Sequence, residues 1–91
     1  MKRVKISVQG KVQGVCYRRY ALSKAKALGL TGYVSNDDDG NVTILAQGAF
    51  PAVNYLIDWC KIGSPQSNVS QVFVEEDEAD EIYLDFSIVQ S

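Results

Sequence analysis

The hydrophobic pattern changes its period across a stretch with two glycines, and this change limits the folds open to the chain. From Lys2 to Gln9, apolar and polar residues alternate, which is typical of a strand with one buried face. From Tyr17 to Leu28, apolar residues recur at helical spacing. Gly10 and Gly14 lie between the two runs. The sequence therefore predicts a strand that turns through a glycine-containing loop directly into a helix.

The rest of the chain predicts one more helix and four more strands. Gly29 is typical of the end of the first helix, and Pro51 favours the start of a second helix that Gly63 ends. The core-facing residues of the two helices are predicted to be Tyr17, Ala21, Ala25 and Leu28, then Val53, Leu56, Ile57 and Cys60. The further strands are predicted at Gly32 to Ser35, Val42 to Gln47, Val69 to Glu76 and Tyr83 to Val89. In the last strand, one apolar face is predicted to carry Leu84, Phe86 and Ile88.

The predicted order of elements is βαββαββ. A β-α-β connection within one sheet is almost always right-handed, and this places the first helix on one face of the sheet. A second helix after the hairpin can cover the same face. We therefore predict an α+β fold, a ferredoxin-like two-layer α/β sandwich (βαββαβ with a fifth strand) with two helices on one face of a mainly antiparallel sheet. The 91 residues are expected to form a single domain, 1–91.

The stretch from Val8 to Arg19 has the features of an anion-binding site. It contains no acidic residue and ends in two arginines. A turn from a strand into a helix leaves backbone N–H groups without partners, and the helix dipole adds positive character there. Arg18 directly follows Tyr17, the predicted anchor of the helix, whereas Arg19 lies off the core face. We therefore assign the anion to Arg18 and a helix-surface position to Arg19.

Charge is distributed unevenly along the chain. Eight of the nine basic residues precede residue 27, and no acidic residue occurs before Asp37. This asymmetry indicates an anionic partner for the N-terminal half; the alternative is that these cations only occupy solvated strand and helix faces. The sequence contains no histidine. Ser-His and Cys-His nucleophile pairs and HExxH zinc sites are therefore excluded, and any catalysis must proceed without an imidazole base.

Asn36 and the three aspartates that follow it lie in the predicted hairpin. An asparagine beside a turn usually uses its amide locally, and the functional alternative is that the amide holds a water molecule. A calcium loop aligned on Gly40 would place Ala46 where a bidentate glutamate is required, so a solvated hairpin tip is predicted instead. The glycine stretch matches neither a Walker A motif nor a dinucleotide-binding fingerprint. Free thiols are the default for Cys16 and Cys60 in a cytosolic chain, although the topology brings their helix ends to the same end of the sandwich.

Two segments resemble the signature sequences of the acylphosphatase family. They are G-K-V-Q-G-V-C-Y-R, from Gly10 to Arg18, and G-Y-V-S-N-D-D-D-G-N-V-T-I-L-A-Q-G, from Gly32 to Gly48. The G-S-P turn from Gly63 to Pro65 and the D-F-S-I-V segment from Asp85 to Val89 also fit, so the resemblance spans nearly the whole chain. It implies the same βαββαβ sandwich with a five-stranded sheet.

The resemblance also implies an activity, the metal-independent hydrolysis of the carboxyl-phosphate bond of small acyl phosphates to carboxylate and phosphate. Such an enzyme is a hydrolase acting on phosphorus-containing acid anhydrides, with no cofactor and no metal site. By position, Arg18 matches the family's substrate-binding arginine, and Asn36 matches the asparagine that positions the attacking water. The phosphate-binding residues implied by the resemblance are Lys11, Val12, Gln13, Gly14, Val15, Cys16, Tyr17 and Arg18.

The expected ligands are a small acyl phosphate and, as inhibitors, phosphate or sulfate anions. We expect a cytoplasmic monomer that binds neither nucleic acid nor membrane. One alternative is a ferredoxin-like nucleic-acid-binding module, but the chain has no RNP1 pattern. Another is a non-catalytic acylphosphatase-like domain that binds an acyl phosphate for a partner enzyme. The acidic run from Glu75 to Glu81 is expected to protect an exposed strand edge against pairing.

Overall fold

A computed structural model of the chain describes residues 1–78 and 81–89. The order of its elements is the predicted βαββαββ. The elements are β1 (Lys2–Lys11), α1 (Tyr17–Ala27), β2 (Thr31–Asn36), β3 (Val42–Gly48), α2 (Phe50–Ile62), β4 (Asn68–Glu76) and β5 (Phe86–Val89).

The five strands form one mixed sheet in the order β4-β1-β3-β2-β5. β1 pairs antiparallel with both β3 and β4, and places Ile6 opposite Ile44 of β3. β2 is antiparallel to β3 and parallel to β5. Both helices pack on this sheet and contact each other. The predicted ferredoxin-like α+β sandwich with a mainly antiparallel sheet is therefore confirmed.

The hydrophobic core lies between the sheet and the two helices. Alternate residues of the central strands and one stripe of each helix are fully buried. In a strand every second side chain lies on the same face, and in a helix the side chains three or four residues apart do so. Leu28 and Ile57, which were predicted to face the core, are only partly buried against it. The buried members of these elements are Val4, Ile6, Val8, Val42, Ile44 and Ala46 from the strands and Tyr17, Ala21, Ala25, Val53, Leu56 and Cys60 from the helices.

α1 ends in a Schellman motif. Gly29 has a φ of 71°, its N–H donates to the carbonyl of Lys26 (3.0 Å), and the N–H of Leu30 donates to the carbonyl of Ala25 (2.9 Å). This pair of bonds satisfies carbonyl groups that a helix end otherwise leaves unpaired. The motif turns the chain directly into β2 and buries Leu30 beneath the helix.

The last strand is shorter than the sequence predicts. β5 begins at Phe86, whereas the prediction began it at Tyr83. Phe86 is buried, but Leu84 is 91% exposed and Ile88 is 37% exposed. The predicted apolar face of the strand therefore does not include Leu84, which precedes β5, and Ile88 lies only at the margin of the core.

The start of β5 is determined by its partner strand. Within residues 1–78 and 81–89, β5 pairs only with β2, and the N–H of Gly32 donates to the carbonyl of Asp85 (3.0 Å). Residues before Thr31 belong to the end of α1, so they offer no strand against which Leu84 could pair. Alternation in the sequence does not predict the first residue of β5, because that residue depends on where the distant strand β2 begins.

Part of the acidic run is paired with Arg3 across the sheet. The Arg3 Nε lies 2.7 Å from Asp77 Oδ2, and its Nη2 lies 3.6 Å from Glu81 Oε1. The Arg3 guanidinium also lies over the ring of Tyr83, 5.5 Å from its centroid, and the side chain is only 10% exposed. Within the run from Glu75 to Glu81, residues 79 and 80 lie outside the described part of the chain. The cluster holds the segment before β5 against β1; protection of the β4 edge stays a prediction.

Neither helix in the described ranges is long and apolar enough to cross a membrane. The longer one, α2, has 13 residues, whereas a membrane-spanning helix needs about 20.

Candidate active site

The loop between β1 and α1 (residues 12–16) contains two residues in the left-handed conformation. Gly14 has a φ of 72°, and Cys16, directly before the helix, has a φ of 61° and a ψ of 19°. Left-handed residues that alternate with right-handed ones turn successive N–H groups toward one side and form a concave anion site. A left-handed residue other than glycine costs about 1–2 kcal/mol. The surroundings of Cys16 must therefore hold the loop in this shape.

The backbone N–H groups from Gly14 to Arg19 donate no hydrogen bond to any residue in the described ranges. Cys16, the N-cap of α1, makes no side-chain cap, and the first turn of the helix contains no acidic residue. These donors lie at the positive end of the helix dipole, where an anion is favoured. The predicted anion loop thus has both the donors and the field that a phosphate requires.

Gln13 ties this loop to the hairpin between β2 and β3. Its Nε2 donates to the carbonyl of Asp37 and to the carbonyl of Asn41, each at 2.8 Å. Asp37 directly follows Asn36, the last residue of β2. The Gln13 amide therefore fixes the separation between the anion loop and the Asn36 side chain.

Two further hydrogen bonds tie the loop to α2 and the turn after it. The hydroxyl of Ser64 donates to the carbonyl of Val15 (2.8 Å), and the hydroxyl of Tyr17 donates to the carbonyl of Cys60 (2.9 Å). All of these side chains are buried, and the Tyr17 ring also packs 5.1 Å from the Trp59 ring, centroid to centroid. Buried hydroxyl groups need such partners, so the two bonds hold the loop firmly.

Arg18 and Asn36 lie on one cavity of about 290 Å³ at the start of α1. The Oδ1 atom of Asn36 is buried and accepts no hydrogen bond from any residue that the structure describes. A buried acceptor without a partner is costly, so this oxygen is suited to accept a hydrogen bond from a donor placed next to it. The residues that line the cavity are Val12, Gly14, Cys16, Tyr17, Arg18, Arg19, Asn36 and Ile88.

The aspartates after Asn36 close the hairpin. Asp37 Oδ2 accepts a bond from the Thr43 hydroxyl (2.6 Å), and the Asp39 carboxylate accepts bonds from the N–H and the side-chain amide of Asn41 (3.1 Å each). None of these bonds involves the Asn36 side chain. The side-chain hydrogen bonds of this turn are therefore made by the neighbours of Asn36 and not by Asn36 itself.

Three residues of the predicted phosphate loop do not line the cavity. Gln13 and Val15 anchor the loop as described, and Lys11 is exposed at the end of β1, opposite Asn68 of β4. Arg19, predicted to lie on the helix surface, is exposed and also lines the cavity. The two cysteines are free thiols, Cys16 exposed and Cys60 buried.

The other cations of the N-terminal half do not gather at this site. Arg3 is paired with acidic residues on the sheet, and Lys2 donates to Asn54 Oδ1 (3.2 Å) at α2. Lys24 and Lys26 lie in the last turn of α1, at the end opposite the cavity, where cations favour the helix dipole. For these residues the alternative of ordinary strand and helix faces is the better account, and the anionic partner indicated by the charge asymmetry stays a prediction for the surroundings of Arg18.

Sequence reasoning did not identify Ser64 or Ile88 as parts of the site. Ser64 lies between a glycine and a proline, a context that indicates only a turn, and its partner Val15 is 49 residues away. Ile88 was predicted only as part of the apolar face of the last strand. A buried serine in a short turn is a signal for such an anchor, but burial cannot be read from the residue type.

These features match those of a known family. The family model described as acylphosphatase matches residues 4–88 of the chain. This chain belongs to the acylphosphatase family. It is accordingly a hydrolase of the acylphosphatase type, and the resemblance stated from the two signature segments is confirmed.

Similar proteins cover the whole length of the chain. An acylphosphatase from Shewanella amazonensis is 67% identical over 91 residues, which are all of both chains. The crystal structure of an acylphosphatase from Bacillus subtilis superposes with a TM-score of 0.93 at 40% identity and covers 98% of this chain and 99% of that one. HypF from T. kodakarensis is 28% identical with a TM-score of 0.87, and the match covers all of this chain but 12% of HypF. The same fold therefore also occurs as a small part of a longer protein.

Burial changes the acidity of two anchoring groups. It raises the pKa of the Cys60 thiol to about 12, and it also raises the pKa of the Tyr17 hydroxyl. The folded state therefore keeps protons at a pH where the unfolded state loses them, so folding becomes less favourable as the pH rises.

We expect the free energy of unfolding to fall between pH 9 and pH 12 because of Cys60. The thiol stabilises the fold fully below its ordinary pKa of 9.0, and this contribution is lost as the pH rises to about 12. The loss amounts to about 1.4 kcal/mol per pH unit for each such group. We would measure the free energy of unfolding by urea at several pH values. It should fall less steeply with pH in Cys60→Ala than in the wild type. Cys16→Ala, which removes an exposed thiol, serves as the control. Equal slopes for Cys60→Ala and the wild type would contradict this prediction.

Proposed function

We propose that the cavity at the start of α1 hydrolyses the carboxyl-phosphate bond of small acyl phosphates without a metal ion. One observation carries this proposal. Half-buried Arg18 and Asn36 line one cavity at the start of α1, where the backbone N–H groups are unpaired within the described ranges, and the buried Oδ1 of Asn36 has no partner there either. Arg18 and the N–H groups suit a phosphoryl group, and the Asn36 oxygen suits a water molecule.

The phosphoryl group is held by Arg18 and by the part of the loop 11–17 that carries backbone N–H groups unpaired within the described ranges. The guanidinium fork donates to two phosphoryl oxygens, and the N–H groups between Gly14 and Tyr17 supply further donors. Charge grows on these oxygens as the phosphoryl group passes through its transition state. Donors that are already in place stabilise that charge without reorganisation.

The attacking water is positioned by Asn36. Its Oδ1 accepts a hydrogen bond from the water and directs the water oxygen toward the phosphorus atom. The new P–O bond forms as the bond between phosphorus and the carboxyl oxygen breaks, and the electron pair of the broken bond leaves with the carboxylate. A phosphoryl oxygen takes the proton of the water, so the products are a carboxylate and inorganic phosphate.

This chemistry agrees with a sequence that contains no histidine. The leaving carboxylate is a weak base, so it departs without a general acid. Because the substrate's own phosphoryl oxygen accepts the proton, an imidazole base is not needed either. What the protein must supply is orientation and stabilisation of phosphoryl charge, which are the main contributions to catalysis of phosphoryl transfer.

A non-catalytic binding domain is the second candidate. In HypF this fold makes up only 12% of a longer protein, whereas an acylphosphatase that matches all of this chain at 67% identity favours the hydrolase. In a binding domain the same cavity would hold an acyl phosphate and release it unchanged.

Arg18→Ala should lower kcat/KM about a hundredfold to a thousandfold, since one preorganised charged contact to the transition state is removed. The assay is hydrolysis of benzoyl phosphate in EDTA, with far-UV circular dichroism as a check of folding. Lys24→Ala, which removes a cation of α1 outside the cavity, is the matched control. A folded Arg18→Ala protein with normal activity would disprove the site. A folded wild type that binds phosphate but hydrolyses no acyl phosphate would favour the binding domain.

Asn36→Ala should lower kcat with a weaker effect on the inhibition constant of inorganic phosphate. The amide orients the water and does not hold the phosphoryl group, so turnover and anion binding should separate. We would measure both quantities for the variant and for Asn68→Ala, which changes an exposed asparagine on β4. If phosphate affinity and kcat fell by the same factor, Asn36 would bind the phosphoryl group rather than position the water.

Gln13→Ala should lower kcat roughly tenfold to a hundredfold, the effect of misplacing reacting groups by about 1 Å. The variant loses both bonds that join the anion loop to the turn after Asn36. The control is Gln71→Ala, an exposed glutamine on β4. Steady-state kinetics would be measured together with the midpoint of thermal unfolding of the variant. A lower kcat with an unchanged midpoint indicates misplaced reacting groups rather than an unfolded protein. Wild-type kcat in a folded Gln13→Ala protein would show that this bridge does not position the site.

A further inference from the structure

A second recess adjoins the active-site cavity along α1. It has a volume of about 330 Å³ and is lined by Cys16, Arg19, Tyr20 and Ser23. Cys16 and Arg19 line the active-site cavity as well. The two spaces therefore meet at these residues, and Arg19 lies at their boundary.

The recess follows one exposed stripe of the helix. Arg19, Tyr20 and Ser23 lie three, four and seven residues after Cys16, the spacing that places side chains on one helical face. The stripe differs from the buried one that begins at Tyr17. It extends about 10 Å along the axis from Cys16 to Ser23. A ligand that emerges from the first cavity at Arg19 has this groove beside it.

The charge at the boundary is not neutralised within the described ranges. Arg19 forms no ion pair there, since the ion pairs of the described residues are those of Arg3. No acidic residue lies in the first turn of α1. Next to the guanidinium, the Tyr20 ring is 47% exposed, and the exposed Ser23 adds a hydroxyl group. The recess thus offers a fixed positive charge, an aromatic surface and one neutral hydrogen-bonding group.

We propose that this recess is the subsite for the acyl group, and that Arg19 selects acyl phosphates whose acyl chain carries a second anionic group. This inference rests on the proposed function, in which the phosphoryl group occupies the cavity beside Arg18. The carboxyl oxygen links the phosphoryl group to the acyl chain, so the chain must leave that cavity. If the acyl chain follows this stripe of α1, a carboxylate or phosphate that lies two or three carbons from the acyl carbonyl reaches Arg19.

Arg19 could also act in a simpler way, by raising the local concentration of every anion at the mouth of the site. Such an effect is long-range, is weakened by salt, and depends on the total charge of the substrate rather than on the place of its second charge. A direct contact with the acyl chain depends on the geometry of the guanidinium as well as on its charge. The two actions are therefore separated by Arg19→Lys, which keeps the charge, and by measuring the substrate ratio at a salt concentration that screens the long-range field.

The test compares succinyl phosphate with butyryl phosphate at 0.15 M salt. The two acyl chains have the same number of carbons, and the first ends in a carboxylate where the second ends in a methyl group. Arg19→Ala should lower the ratio of the two kcat/KM values about twofold to tenfold, the range for a solvent-accessible charged contact. Arg19→Lys should lose part of this preference, because it keeps the charge and loses the planar fork. Lys24→Ala should keep the wild-type ratio.

The outcomes separate this inference from the proposed function. An unchanged ratio in Arg19→Ala, with both substrates slowed equally or not at all, would overturn the acyl subsite and leave the hydrolase assignment intact. Failure of the wild type to hydrolyse either substrate would overturn the proposed function itself. A fall in the ratio that also appeared in Lys24→Ala would assign the preference to the general field of α1 and would overturn the specific role of Arg19.

Discussion

The active site depends on backbone N–H groups at the start of α1 that must stay unpaired while the loop that carries them is held still. The three anchors meet both requirements. Gln13 of the loop and Tyr17, the first residue of α1, donate to carbonyl groups elsewhere. Ser64 donates to the carbonyl of Val15 in the loop. None of these bonds uses an N–H group of the loop. The donors therefore remain available for the proposed phosphoryl group, and the strain of the left-handed Cys16 is offset by bonds formed around it.

The same residues connect the site to the core. Tyr17 begins α1, is among the largest fully buried side chains and donates to the carbonyl of Cys60. Arg18 follows it directly, so the packing of Tyr17 also sets the position of the Arg18 backbone. The chain thus uses one buried aromatic residue to begin a helix, fill the core and place a charged group at the cavity. Substitutions beneath the helix are consequently expected to affect catalysis as well as stability.

Much of the fold could be predicted, because each helix and strand has a periodic pattern in its own segment. The start of β5 could not, since the exposure of Leu84 follows from where β2 begins. The same division applies to the site. Arg18 and Asn36 stand at the ends of predicted elements beside a glycine loop, whereas the anchor Ser64 acts on a residue far away in the sequence. Charge counts were a poor guide to position: Arg3 is bound to acidic residues from the other end of the chain, and Arg19 lines the cavity although it lies off the core stripe.

The parallel pairing of β5 with β2 has a consequence for the order in which the molecule matures. β5 follows every other element in the sequence, and its Ile88 forms part of the cavity wall. Pairing of strands that are distant in the chain is slow compared with the formation of helices and hairpins. Both helices and the hairpin of β2 and β3 can therefore form before β5 pairs with β2. A folding molecule can thus acquire part of its architecture while it is still unable to enclose a substrate.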